Sequence, residues 1–200
     1  MLTKMLLFSI VFIKLFAMQA EAQSCISEVE NIKVYKSLGE ALKEPDSVKV
    51  LVLRRNRFRD FPEEIYSLTN LVKIDISRNR ISEIPEGIGN LKNLCEVNFS
   101  RNRINSLPDT FENLKNLKII NLSDNKIEYL PEFFFQLKQL ERLDIFSNPV
   151  KINPKEIIKL SETIKYLDIR NTYTSDFDRQ EISELLKNTE IKYTRSCNCH

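Results

Sequence analysis

VNFSRNRINSLP (Val97–Pro108) sets apolar residues in alternation, then an asparagine, then a proline. Moving 23 residues along the chain in either direction returns the same order. Asn56, Asn79, Asn102, Asn125 and Asn148 each follow a pair of apolar residues two positions apart: Leu51/Leu53, Ile74/Ile76, Val97/Phe99, Ile120/Leu122 and Leu143/Ile145. Six residues after each asparagine comes a proline, from Pro62 to Pro154. Further apolar columns run at plus two (Phe58, Ile81, Ile104, Ile127, Val150) and plus twelve (Leu68, Leu91, Leu114, Leu137, Leu160). At plus five, Phe61, Ile84, Leu107 and Leu130 form a column that Asn153 breaks. A fixed period of this kind decides the fold before any local reading does.

No single unit of 23 residues buries its own apolar face. The alternation in Ile74-Asp75-Ile76 points two side chains to one face of a short strand. Stacked copies close the core between them, and strand pairing satisfies the backbone of the interior copies. The asparagine column has a matching role. An amide turned inward offers donor and acceptor together, suited to backbone groups in the bend that follows the strand. Buried without such partners it costs about 1–3 kcal/mol. Asn56, Asn79, Asn102, Asn125 and Asn148 are therefore expected to form a structural ladder at successive strand exits.

The run Leu71-Val72-Lys73-Ile74-Asp75-Ile76-Ser77-Arg78-Asn79-Arg80-Ile81 resembles the leucine-rich-repeat signature. The 23-residue length with its Ile-Pro or Leu-Pro step resembles the subclass common in bacterial repeat proteins and Ras-suppressor-like chains. The resemblance covers residues 47–172, about six copies. It implies an α/β solenoid with parallel strands on the concave side and short helical or extended segments on the convex side.

In the sixth copy the apolar residues Ile164, Leu167 and Ile169 fit a frame displaced by one, with Thr172 at the asparagine position. One residue has entered between Leu160 and Ile164. Two outcomes stay open: Thr172 substitutes in part for the amide, or Asn171 reaches in from a distorted bend. Both ends of a solenoid need covers. Upstream, residues 23–46 hold a tail and a cap helix over Tyr35 to Lys43, with Ser37 and Glu40 placed as a capping box. The first strand is expected at Val48 to Leu53. Downstream, residues 173–200 hold a helix over Phe177 to Lys187, begun by Ser175 or Asp176, and a last strand at Ile191 to Thr194. Residues 30–195 then form one structural unit.

Residues 1–22 read as an export signal. Lys4 opens it, Leu6 to Met18 is mostly apolar, and Ala20-Glu21-Ala22 suits a signal peptidase. Lys14 leaves the run short for a spanning helix, which needs about 20 residues, and no later segment of the mature chain approaches that length. Removing these residues takes Lys4, Lys14 and Glu21 and leaves 28 basic and 27 acidic side chains, a charge that gives no case for nucleic acid. Four cysteines, Cys25, Cys95, Cys197 and Cys199, fit an oxidising compartment, and the sequence dictates no pairing. Ala22-Gln23-Ser24-Cys25 loosely resembles a lipoprotein processing site, so a lipid anchor at Cys25 stands beside free release at Gln23. The chain is expected to be secreted or held at a bacterial cell envelope.

No catalytic set is visible. His200 is the only histidine and lies last. Cys197, Cys199 and His200 are too few for a zinc site, which usually takes four ligands. Gly87 and Gly89 fall in the convex half of a copy rather than in a phosphate loop. No enzyme activity, cofactor or metal is expected. Binding has better support. The outward positions Asp75, Asn98, Asn121 and Asp144 make one polar column. Arg54 and Phe146 fall in the next. Arg55, Arg78 and Arg101 precede the asparagines, and Arg57, Arg80, Arg103 and Lys126 follow them. Guanidinium groups in series suit carboxylate, sulfate or phosphate, and an exposed aromatic such as Phe146 can anchor an interface. The expected function is noncatalytic protein or peptide binding. The alternative is a carbohydrate- or cell-wall-associated module using the Asp/Asn column.

Overall fold

The computed structural model describes residues 32–194, and the fold below is that of the compact unit beginning at Lys33. The export signal, Gln23, Cys25, Cys197, Cys199 and His200 lie outside the described residues. Eight strands form one parallel sheet in chain order. They are β1 (Val34–Tyr35), β2 (Val50–Val52), β3 (Lys73–Asp75), β4 (Glu96–Asn98), β5 (Ile119–Asn121), β6 (Arg142–Asp144), β7 (Tyr166–Asp168) and β8 (Glu190–Lys192). Helix α1 (Leu38–Ala41) follows β1, α2 (Pro154–Ile157) lies between β6 and β7, and α3 (Asp176–Leu185) lies between β7 and β8. Chain-order pairing of parallel strands is what a stacked repeat requires, because each copy buries its apolar face only against its neighbours.

Register carries the period into space. Ile74 sits opposite Val97, Val97 opposite Ile120, and Ile120 opposite Leu143. From β6 to β7 the offset grows to 24, with Leu143 opposite Leu167. The added residue is taken up in the turn after Leu160, where Ile164 N–H returns to Leu160 O at 2.9 Å. The inward column from Leu51 to Leu167 is fully buried. Phe99 meets Phe61 and Phe111 edge-on, each at 6.4 Å between ring centres.

Opposite the strands the chain makes short 3-10 turns, Glu63–Ser67, Glu86–Asn90, Asp109–Asn113 and Glu132–Gln136. A proline precedes each turn with φ between −61° and −72°, the value its ring enforces. In the fifth copy Asn153 replaces the apolar residue before the proline. Its side chain caps α2 by accepting from Lys155 N–H at 3.0 Å. The break in the plus-five column thus marks a copy whose convex segment begins with an α-helix rather than a 3-10 turn.

At the ends the structure moves several boundaries. Tyr35 belongs to β1 rather than to the first helix, which covers only Leu38–Ala41 behind Ser37 as N-cap. The strand expected at Val48 to Leu53 narrows to β2, and the last strand begins at Glu190. Ser175 caps α3 by accepting from Asp178 N–H at 3.0 Å. Arg179 ties α3 down through Thr172 O at 3.0 Å and Thr194 O at 2.9 Å. Cys95, buried just before β4, is disulfide-bonded. Among the described residues no helix is long and apolar enough to cross a membrane.

A candidate ligand-binding face

Each strand exit is built around an asparagine. Asn79 donates to Leu53 O at 2.9 Å and Ile76 O at 2.7 Å, and it accepts from Phe58 N–H at 3.2 Å. Asn102, Asn125 and Asn148 repeat the three contacts one copy further each time. Asn56 stands apart from this bonding. It is exposed and reaches only Arg54 O, at 3.4 Å. In the sixth copy two hydroxyls divide the work: Thr172 donates to Ile169 O at 2.8 Å, and Thr174 accepts from Ile152 N–H at 3.1 Å. Asn171 stays exposed, so the alternative in which it turns inward is excluded.

The residue before each amide, and before Thr172 in the sixth copy, adopts a left-handed conformation: Arg55, Arg78, Arg101, Asp124, Ser147 and Asn171, with φ between 53° and 61°. Its N–H still completes the ladder, Arg78 to Ser100 O at 2.9 Å and Arg101 to Ser123 O at 2.8 Å. The chain must then turn within one residue to send the amide inward. For residues other than glycine this geometry costs roughly 1–2 kcal/mol. Arg57 adds a second left-handed arginine in the first copy, at φ 62°.

The turn leaves the edge basic. Arg55, Arg57, Arg78, Arg80, Arg103 and Lys126 are exposed and form no ion pair among the described residues. Arg101 pairs with Asp124 at 3.2 Å. Repulsion from Arg101, then slight burial, then Arg55 and Arg54, pulls the Arg78 guanidinium below its ordinary pKa.

The outward column of β3 to β7 is quieter. Asp75 lies 1% exposed. Burial works against its ionisation, but donors from Arg54 (2.5 and 2.8 Å) and Ser77 prevail and hold its pKa below the ordinary value. Asn98 joins it at 2.9 Å and accepts from Ser100, as Asn121 accepts from Ser123. Asp168, also 1% exposed, accepts from Nε and Nη2 of Arg170. Phe146 lies half-buried with the Arg170 guanidinium 5.1 Å from its ring centre, and Arg142 stacks on Tyr166 at 3.5 Å. Asp168, Arg170 and Tyr166 were not among the residues singled out from sequence. The displaced frame contains the signal, since Asp168 falls four positions before Thr172, as Asp144 does before Asn148.

The family model for Leucine rich repeat matches residues 69–114 and 92–150. This chain carries leucine-rich repeats and folds as their solenoid. Among solved structures, the solenoid is similar to a leucine-rich-repeat protein of Leptospira interrogans, with 29% identity and a TM-score of 0.62 over 81% of this chain and 48% of that one. Our leucine-rich-repeat chain thus spans about half the length of that relative. An internalin of Listeria monocytogenes shares the fold at 17% identity and TM-score 0.59, covering 83% of this chain and 54% of its own. The repeat ectodomain of an Arabidopsis thaliana receptor kinase, solved with Casparian strip integrity factor 2, shares it at 24% identity and TM-score 0.61, covering 74% and 18%. No curated protein sequence matches significantly.

Proposed function

We propose that this leucine-rich-repeat protein is an exported, noncatalytic binder of a protein or peptide. Its ligand lies along the sheet face and the strand-exit edge and presents acidic groups to that edge. One observation carries the reading: a row of exposed cations without partners, set on adjacent copies. Neighbouring parallel strands are about 4.8 Å apart, so the row offers guanidinium groups at nearly regular steps, each able to take a carboxylate through paired hydrogen bonds. The Arabidopsis ectodomain, similar in fold, supports binding by such a solenoid without identifying this ligand. Function is therefore argued from the side chains.

The glycan reading has less to work with. The side-chain oxygens of Asn98 and Asn121 already accept from Ser100 and Ser123. Export rests on residues 1–22, and mass analysis of the mature N-terminus distinguishes free Gln23 from lipid-modified Cys25. To test binding, the mature chain is used as bait on secreted and envelope fractions, beside a glycan panel. We expect protein capture that weakens with added salt and is lost in the charge-reversed pair Arg78→Glu and Arg101→Glu. Equal capture by that double variant overturns the basic edge, and selective glycan retention without protein capture overturns the protein reading.

A further inference from the structure

The repeat supplies its own control for charge on the sheet face. Three aspartates occupy the same outward position on β3, β6 and β7: Asp75, Asp144 and Asp168. Arg54 neutralises the first and Arg170 the third. At Asp144, Oδ1 accepts from Phe146 N–H at 3.1 Å, and no further hydrogen bond or ion pair forms among the described residues. The cause lies in the sequence. Two positions after Asp168 stands Arg170, whereas two positions after Asp144 stands Phe146. An aromatic residue stands where the internal cation would, and the second Asp144 carboxylate oxygen has no hydrogen-bond or ion-pair partner among the described residues.

We propose that Asp144 and Phe146 form a seat for one cationic side chain, lysine or arginine, of the bound polypeptide. A carboxylate and an aromatic ring on adjacent outward positions attract the same ligand group by two mechanisms, ion pairing and the ring quadrupole. Burial supports the assignment. It lifts the Asp144 carboxyl above its ordinary pKa, Asp168 adds to that, and the Phe146 N–H, Arg142 and Arg170 oppose it. Of the nearby cations, Arg142 stacks on the ring of Tyr166, and Arg170 pairs with Asp168 while its guanidinium lies 5.1 Å from the Phe146 ring centre, so the incoming cation takes the ring's other face. The β5 neighbours, Asn121 and Ser123, carry no charge, and Lys192 on β8 lies over the far side of the column, 5.1 Å from the Tyr166 ring centre. The seat rests on the binding reading above, but it adds the opposite charge at the opposite end of the face.

The sequence provides clean variants. Asparagine occupies the Asp144 position at Asn98 and Asn121, and serine occupies the Phe146 position at Ser77, Ser100 and Ser123. Asp144→Asn and Phe146→Ser are thus residues this scaffold already accepts. The experiment follows the Asp144 carboxyl and Phe146 ring signals by carbon NMR in the whole mature chain. The probe is Nα-acetyl-lysine methylamide, and the norleucine analogue is the uncharged control. We expect a saturable shift with the lysine probe alone, abolished in Asp144→Asn and weakened roughly two- to fivefold in Phe146→Ser. The shift should fade as pH falls through the raised carboxyl pKa, because the protonated acid has no charge to offer. The Arg78→Glu, Arg101→Glu pair should leave it intact, which separates failure here from failure of the basic edge. Equal shifts with both probes, unchanged binding in Asp144→Asn, or an Asp144 carboxyl that titrates below the ordinary aspartate range overturn the seat. The last result would mean that an internal guanidinium already fills it.

Discussion

A single interior asparagine such as Asn125 donates to two carbonyls at about 3 Å and to a third at 3.3 Å, and accepts from one N–H of the preceding copy. The two nearer carbonyls are each shared with a neighbouring amide, but the N–H has no other acceptor: Ile104 N–H donates only to Asn125. We expect Asn125→Ala to lower unfolding free energy by about 1–3 kcal/mol, measured by urea denaturation, while Asn56→Ala stays within about 0.5 kcal/mol. Equal losses at the two sites would contradict the bonding described. The spacing of the amides was legible in the sequence because period reports position. Their differing worth was not, because Asn56 has the same neighbours in sequence but no preceding copy of the motif whose carbonyl it could reach. The same limit applied to the aspartates. Whether Arg54 or Arg170 closes on a carboxylate depends on reach across strands, which no linear spacing states.

Between the elements, close approach rather than backbone freedom explains Gly87 and Gly89. A side-chain carbon at Gly89 would stand 2.6 Å from Thr110 O, and at Gly87 only 2.3 Å from the Tyr66 ring. The Tyr66 ring fills the space a Gly87 side chain would need, stacks at 5.5 Å on Phe61, and leaves its buried hydroxyl without a partner among the described residues. Burial pushes the phenol up to about 12, with Glu63 adding. Tyr66→Phe should therefore stabilise the chain by about 1 kcal/mol, read as a higher urea midpoint at unchanged slope; a lower midpoint would show that the hydroxyl has a partner. Elements of this length were only partly legible. The two residues of β1 are too few to show alternation, and α1 is one turn, so its limits come from tertiary contact rather than from pattern. The 3-10 turns were readable only as convex segments, since a proline and two apolar positions suit several short conformations.

From the first strand exit to β6, partnerless side chains pass from arginines to a carboxylate while the strands keep their 23-residue register. The unpaired arginines cluster over the first three copies, while the free carboxylate at Asp144 lies beyond them. The fold was legible because five copies vote for the same frame and the sixth departs by one residue; the face was not, because function resides in how the copies differ. The left-handed column bears on this directly. Arg55, Arg57, Arg78 and Arg101 occupy φ values that glycine adopts freely. Replacing all four by glycine relieves roughly 1–2 kcal/mol of backbone strain at each site. The added freedom of the unfolded chain returns roughly 0.5–1 kcal/mol of that. Thermal unfolding of the fourfold variant should thus occur at the same temperature or higher, and a clear drop would refute the strain. Any loss of capture in such a protein could not be blamed on a weakened scaffold. Sturdiness and grip are set against each other along this one margin, so they can be dialled apart.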